Sequence, residues 1–173
     1  MRSVGDDAIM NLYLVRHAQP QADGDDPPLS PEGVQQVAKV AALFARVNPP
    51  RDRLTLLAST LKRARHTAEA LAEILAVAVA DVVTFPGPDD EVDDLTERLV
   101  LRLQALAAAG RTELIVVGHS NYLPSTAARL LGTAAAPFPG GEAFAAAGCL
   151  SCDGAFAPGS ARLRWLVLPE LLA

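Results

Sequence analysis

The sequence predicts an α/β domain built as a three-layer αβα sandwich around a mainly parallel central sheet. Three observations carry this. Short apolar runs alternate with longer stretches of helical periodicity, the pattern of βαβ units. The chain has 173 residues, enough for one core and too few for two comfortable domains. Three of the apolar runs also end in cationic or polar residues, at the strand edge where parallel sheets meet their ligands.

The opening stretch, "MRSVGDDAIM", lacks the apolar centre of a signal peptide and carries two aspartates. It reads as a flexible leader over 1–10, with Met10 as an alternative start and one domain over 11–173. Strands are expected near 11–15, 54–58, 78–83 and 113–117. Between the first two, Ser30 is placed to cap a helix with Pro31 in its first turn. Val34, Val37, Ala41 and Phe44 then form its buried stripe. After the second strand, Leu61, Ala64, Ala68, Leu71 and Leu75 repeat at three and four, giving a second helix capped by Ser59 or Thr60. Further helices are expected near 91–109 and 122–131. The tail, "AFAAAGCLSC" followed by "ARLRWLVL", reads as a terminal hairpin or two late strands.

Composition excludes several functions. The net charge of −5 argues against a nucleic-acid partner, which demands a broad basic surface. No apolar run approaches the roughly 20 residues that span a bilayer. Cys149 and Cys152 give no disulfide framework, so a reducing cytoplasm is the default location. "CLSC" supplies only two thiols where a structural zinc needs four ligands. In an extended strand, its spacing turns the two thiols to opposite faces.

The chemistry gathers at three strand ends. "LYLVRHAQP" runs from an apolar strand straight into Arg16 and His17. The second strand leads into "STLKRARHTAEAL". The fourth, "ELIVVG", ends at His119 and Ser120. Lys62, Arg63, Arg65 and His66 occupy the first two turns of a helix, where positive charge is unfavourable beside the macrodipole. An anion in front of that helix explains the cluster. Arg63 lies off the apolar seam and is free to face the anion, whereas Lys62 and Arg65 read as a solvated basic face and His66 as an exposed bystander. A phosphoryl group fits such surroundings, because its oxygens take several charge-assisted bonds and arginine offers planar forks for them. A neutral imidazole can attack phosphorus and hold it covalently. Neighbouring cations favour that neutral form. A metal beside His17 and His119 is disfavoured by the two arginines.

With these residues in view, the chain resembles the histidine phosphatase superfamily, the phosphoglycerate mutase-like proteins. The resemblance rests on "LVRHAQ" (with Ala18 where the family signature has glycine), "LSPEG" at 29–33, "STLKRARHTAEAL" and "LIVVGHS", in family order from about residue 11 to 131. It implies a phosphoglycerate mutase-like fold, His17 as the phosphorylated nucleophile, and a phosphate clamp of Arg16, Arg63 and His119, without metal or other cofactor. Ser120 joins the expected substrate contacts. The interval from Arg63 to His119 leaves no room for a substantial lid, so the outline most resembles the small bacterial phosphohistidine phosphatases.

Asp89 or Asp90, after the third strand, is the expected proton donor to the leaving group. Glu91 reads as an acid at a helix start, and Asp23, Asp25 and Asp26 as loop decoration. The expected function is a metal-independent phosphatase acting on phosphohistidine in proteins. The other readings are a small-molecule phosphomonoesterase, a phosphoglycerate mutase, and a phosphate-binding module without turnover. Its partners would be a phosphorylated protein or a small phosphate ester, not nucleic acid or membrane. An open, shallow site with His17 on a solvent-facing lip is expected.

Overall fold

The computed structural model describes residues 9–77, 83–85, 91–135, 138 and 143–172. In chain order they form β1 (Met10–Arg16), α1 (Pro31–Val47), β2 (Leu54–Ser59), α2 (Lys62–Leu75), β3 (Val83–Phe85), α3 (Val92–Ala108), β4 (Glu113–Gly118), α4 (Leu123–Leu131), β5 (Ala147–Cys152) and β6 (Arg162–Val167). Short 3₁₀ turns stand at Arg51–Arg53 and Pro169–Leu171.

The strands make one six-stranded sheet of order β3-β2-β4-β1-β5-β6. The pairs β1/β4, β2/β4 and β2/β3 are parallel, while β5 and β6 run antiparallel as a terminal hairpin. Alternation along the strands feeds two cores. Tyr13, Val15, Leu56, Ala58, Ile115 and Val117 face α1 and α2, meeting Val37, Ala41, Phe44, Ala68 and Leu71. Leu12, Leu14, Leu57, Leu114 and Val116 face α3 and α4, meeting Leu95, Leu99, Leu103 and Leu130. The three-layer sandwich with a mainly parallel sheet is therefore as expected. Among the described residues, no helix is long and apolar enough to cross a membrane.

Several local expectations change. Met10, placed at the end of the leader by the sequence, opens β1 and pairs with Cys152; residues 1–8 of that leader lie outside the described residues. The third strand appears at Val83–Phe85, and 78–82 lie outside the described residues. Val34 is 58% exposed and does not belong to the buried stripe of α1, whose core face is completed by Val40. The α2 cap is neither Ser59 nor Thr60. Its N-cap is Leu61, with no side-chain cap, and Asp26 Oδ1 accepts a hydrogen bond from Lys62 N at 2.9 Å. Asp26 is thus an anchor between the loop and the positive end of the helix, not decoration. Cys149 and Cys152 are free and buried, one in each core, as the strand spacing requires.

Candidate active site

The end of β1 is held from both sides. Arg16 N donates to Ala146 O at 2.9 Å, and His17 N donates to Gly118 O at 2.9 Å. His17 O in turn accepts from Ala145 N at 3.1 Å. The following loop is fixed by the two helices of the adjoining layer. Ala18 N donates to Thr67 Oγ1 at 3.1 Å, and the same hydroxyl donates to Arg63 O at 2.7 Å, tying the His17 loop to the turn that carries Arg63. On the other side, Ser30 N donates to Gln19 O and Gln19 N donates to Gln36 Oε1, both at 2.9 Å. Ser30 Oγ caps α1 through Gly33 N at 3.0 Å. A Cβ at Gly33 would collide with the Gln19 carbonyl, so the glycine of "LSPEG" admits the helix against the loop. Gly118 has the same purpose before His119, since a Cβ there would strike the Tyr122 ring.

These supports bring the expected residues together. The His17 and His119 rings lie 4.9 Å apart between centroids, edge to face at 60°. The Arg16 guanidinium stacks 4.4 Å from the centre of the Phe144 ring, which also stands 5.7 Å from His17. Arg63, half-buried in the first turn of α2, is near enough for its charge to act on both histidines. Ser120 follows His119, half-buried. Lys62 and Arg65 are exposed, and Arg65 pairs with Glu69 at 3.6 Å. His66 is half-buried instead of exposed; with Leu29, Val34 and Ile74 it lines a groove between α1 and α2. Asp89 and Asp90 lie outside the described residues, and Glu91 is exposed at the start of α3.

Burial is the main departure from expectation. Arg16, His17 and His119 are only 5%, 5% and 4% exposed, so His17 sits in a recess and not on a solvent-facing lip. That recess sets the protonation. Burial pushes His17 down to about 4, with Arg63 and Arg16 adding to the effect and the Ala18 carbonyl opposing it. Burial likewise pushes His119 down to about 3, followed by the charges of His17, Arg63 and Arg16. Both rings are neutral at neutral pH, desolvation being the larger cause and the cations the smaller.

The tautomer follows from the contacts. Ala18 O can only accept, and it lies 2.8 Å from His17 Nδ1. The proton of the neutral ring is therefore on Nδ1, and Nε2 carries a lone pair. His119 Nε2 lies 2.8 Å from Ser59 Oγ. The sequence reading missed Ser59 and Phe144 as site residues. Ser59 had a signal, its place at the end of β2 on the ligand edge; Phe144 had none. Among the described residues, no group of three or more His, Cys, Asp or Glu side chains is placed to hold a metal ion.

Comparison with known proteins bears on the fold. Residues 12–82 match the sequence model of the histidine phosphatase superfamily (branch 1). The protein histidine phosphatase SixA, solved with tungstate, superposes with a TM-score of 0.78 at 19% identity, covering 93% of this chain and 98% of its own. The fold is that of the histidine phosphatases. A mycobacterial glucosyl-3-phosphoglycerate phosphatase solved with VO3 shares this histidine phosphatase fold, with a TM-score of 0.69 at 21% identity over 90% and 98% of the two chains. So does a putative phosphohistidine phosphatase SixA from Agrobacterium tumefaciens, at 0.64 and 19% over 92% and 98%. No match is found among the curated proteins. The resemblance read from the sequence is thus borne out, with "LVRHAQ", "LSPEG" and "STLKRARHTAEAL" inside the matched residues and "LIVVGHS" beyond them.

Proposed function

We propose that this chain is a metal-independent phosphatase that transfers the phosphoryl group of its substrate to His17 and then to water. The observation that carries the proposal is the 2.8 Å contact between His17 Nδ1 and Ala18 O, which leaves Nε2 as a bare, neutral nucleophile in a cationic recess. The Nε2 lone pair forms the N–P bond as the bond from phosphorus to the leaving group breaks, and the leaving group takes a proton. Asp89 or Asp90 is the proposed source of that proton. A water oxygen then attacks phosphorus while giving a proton back to that aspartate, the N–P bond breaks, and the electron pair returns to Nε2 as inorganic phosphate leaves. Arg16, Arg63 and His119 hold the phosphoryl oxygens through both steps, where fixed donors contribute most to lowering the barrier, and Ser120 adds a neutral contact.

The proposed substrate is phosphohistidine on a protein. An imidazole leaving group is protonated readily near neutral pH and needs little help from an acid, unlike an alkoxide. The similarity to SixA supports this reading. The similarity to a glucosyl-3-phosphoglycerate phosphatase favours a second one, a small phosphate ester. Two measurements test the whole. Rapid quenching with substrate, followed by peptide mass spectrometry, is expected to find an acid-labile phosphoryl group on His17, absent in His17→Ala; its absence in the parent leaves a binding module without turnover. Specificity constants for a phosphohistidine protein against sugar and three-carbon phosphates then decide the substrate, and a clear preference for the esters overturns the phosphohistidine assignment.

A further inference from the structure

The hydroxyl of Ser59 has two partners among the described residues. One is His119 Nε2 at 2.8 Å; the other is Leu61 N at 3.5 Å, which can only donate. Ser59 is completely buried at the end of β2, and His119 is buried beside it. A serine hydroxyl carries one hydrogen and two lone pairs. With the Leu61 N–H pointed at a lone pair, the hydrogen has one acceptor in reach among the described residues, the imidazole nitrogen. Were His119 to donate its own N–H to Ser59 instead, the serine hydrogen would be left buried without an acceptor among the described residues, which is costly.

We infer that Ser59 is a positioning residue that donates to His119 Nε2, so that the proton of the neutral ring lies on Nδ1 and is offered to the phosphoryl group. The consequence for the phosphate clamp rests on the function proposed above. When an incoming phosphate draws a proton onto His119, both ring nitrogens become donors, and Ser59 turns its hydroxyl to accept from Nε2. One hydroxyl thereby serves both charge states of His119, which a fixed donor such as a backbone N–H cannot do. The helix α2 loses nothing by this, because Asp26 receives the Lys62 N–H at its start.

The decisive measurement is the tautomer of His119, read from long-range ¹H–¹⁵N correlations on the full chain, which needs no turnover. In the parent at pH 7.5, Nε2 is expected to show the shift of an unprotonated nitrogen and Nδ1 that of a protonated one. Ser59→Ala should lose this preference, and Ser59→Thr should restore it. Addition of orthovanadate should convert the parent His119 to the doubly protonated form, and should do so less readily in Ser59→Ala. A parent ring protonated on Nε2 overturns the inference, as does a preference unchanged in Ser59→Ala. If Ser59→Ala does not fold, the parent spectrum alone decides. Absence of phosphatase activity, with the Nδ1–H tautomer present, would instead count against the proposed function and leave the role of Ser59 standing.

Discussion

The recess around His17 has a signature in stability that is independent of catalysis. His17 titrates at about 4 in the folded chain against an ordinary 6.5, so the unfolded chain binds its proton first as pH falls. The stability linked to His17 is fully present above about 6.5 and is lost progressively as pH drops toward 4, below which it changes no further. Between pH 8 and pH 4.5 the loss amounts to about 2.5 kcal/mol from these two values. His119, pushed down to about 3, acts with the same sign and extends the loss to lower pH. Replacing His17 by Gln removes its share and also relieves the repulsion that His119 feels, so the variant's dependence on pH should be flatter on both counts. Urea denaturation at a series of pH values measures this, followed by the fluorescence of Trp165, the single tryptophan, which lies 6.1 Å from Tyr13 and packs, half-buried, against the core. The expected result is that the stability of the parent relative to His17→Gln falls by about 2.5 kcal/mol from pH 8 to pH 4.5. Parallel curves for the two proteins would mean that His17 titrates as an exposed histidine, and would refute the buried neutral nucleophile.

Arg63→Ala should lose at least tenfold in kcat/KM, since a charge-assisted bond to phosphate is worth about 1.5–3 kcal/mol. Lys62→Ala and Arg65→Ala should stay near the parent, because both side chains are exposed and Arg65 is engaged with Glu69; equal losses at all three would dissolve the clamp assignment. Chelators should leave turnover unchanged while orthovanadate competes with substrate, and a strict need for magnesium or zinc would exclude the mechanism. Asp26→Ala should lower the urea midpoint by an amount equivalent to about 1 kcal/mol, the usual cost of a lost helix cap, with Asp26→Asn retaining most of it.

Where the sequence was legible, a local pattern had a single physical meaning. The alternation of Tyr13, Val15 and their neighbours, the three-and-four repeat of Ala64, Ala68 and Leu71, and the Ser30–Pro31 start all describe elements whose burial and capping depend on near neighbours in the chain. The convergence of Arg16, His17, Arg63 and His119 was legible for a different reason: parallel strands deliver their carboxyl ends to one edge whatever their order. The failures all depend on residues distant in sequence. Ser59 looked like a helix cap because its use by His119 requires β2 and β4 to be neighbours. Asp26 looked idle because its partner, Lys62, lies across the fold. Val34 sits at a core spacing on α1 but faces the groove beside α2, which the apolar repeat of α1 alone does not reveal. The depth of His17 was hidden for the same reason, since Phe144 and Ala145 arrive from the far end of the chain.

The place of β1 in the sheet has a consequence for how the protein comes into being. β1 is made first, yet its two neighbours are β4 and β5, whose residues lie more than a hundred positions further along; Asn11, for instance, bonds to Glu113. While the chain is still being synthesised, Arg16 and His17 therefore have neither the Gly118 carbonyl nor the Ala146 carbonyl to fix them. Such long-range pairing is slow to form, because the entropy of closing the loop is lost before any contact is gained. An emerging chain thus carries an apolar strand in search of partners and an ordinary, protonatable histidine. The recess that lowers the proton affinity of His17 forms only once both β4 and β5 have joined β1, so its unusual protonation is a property of the completed sheet.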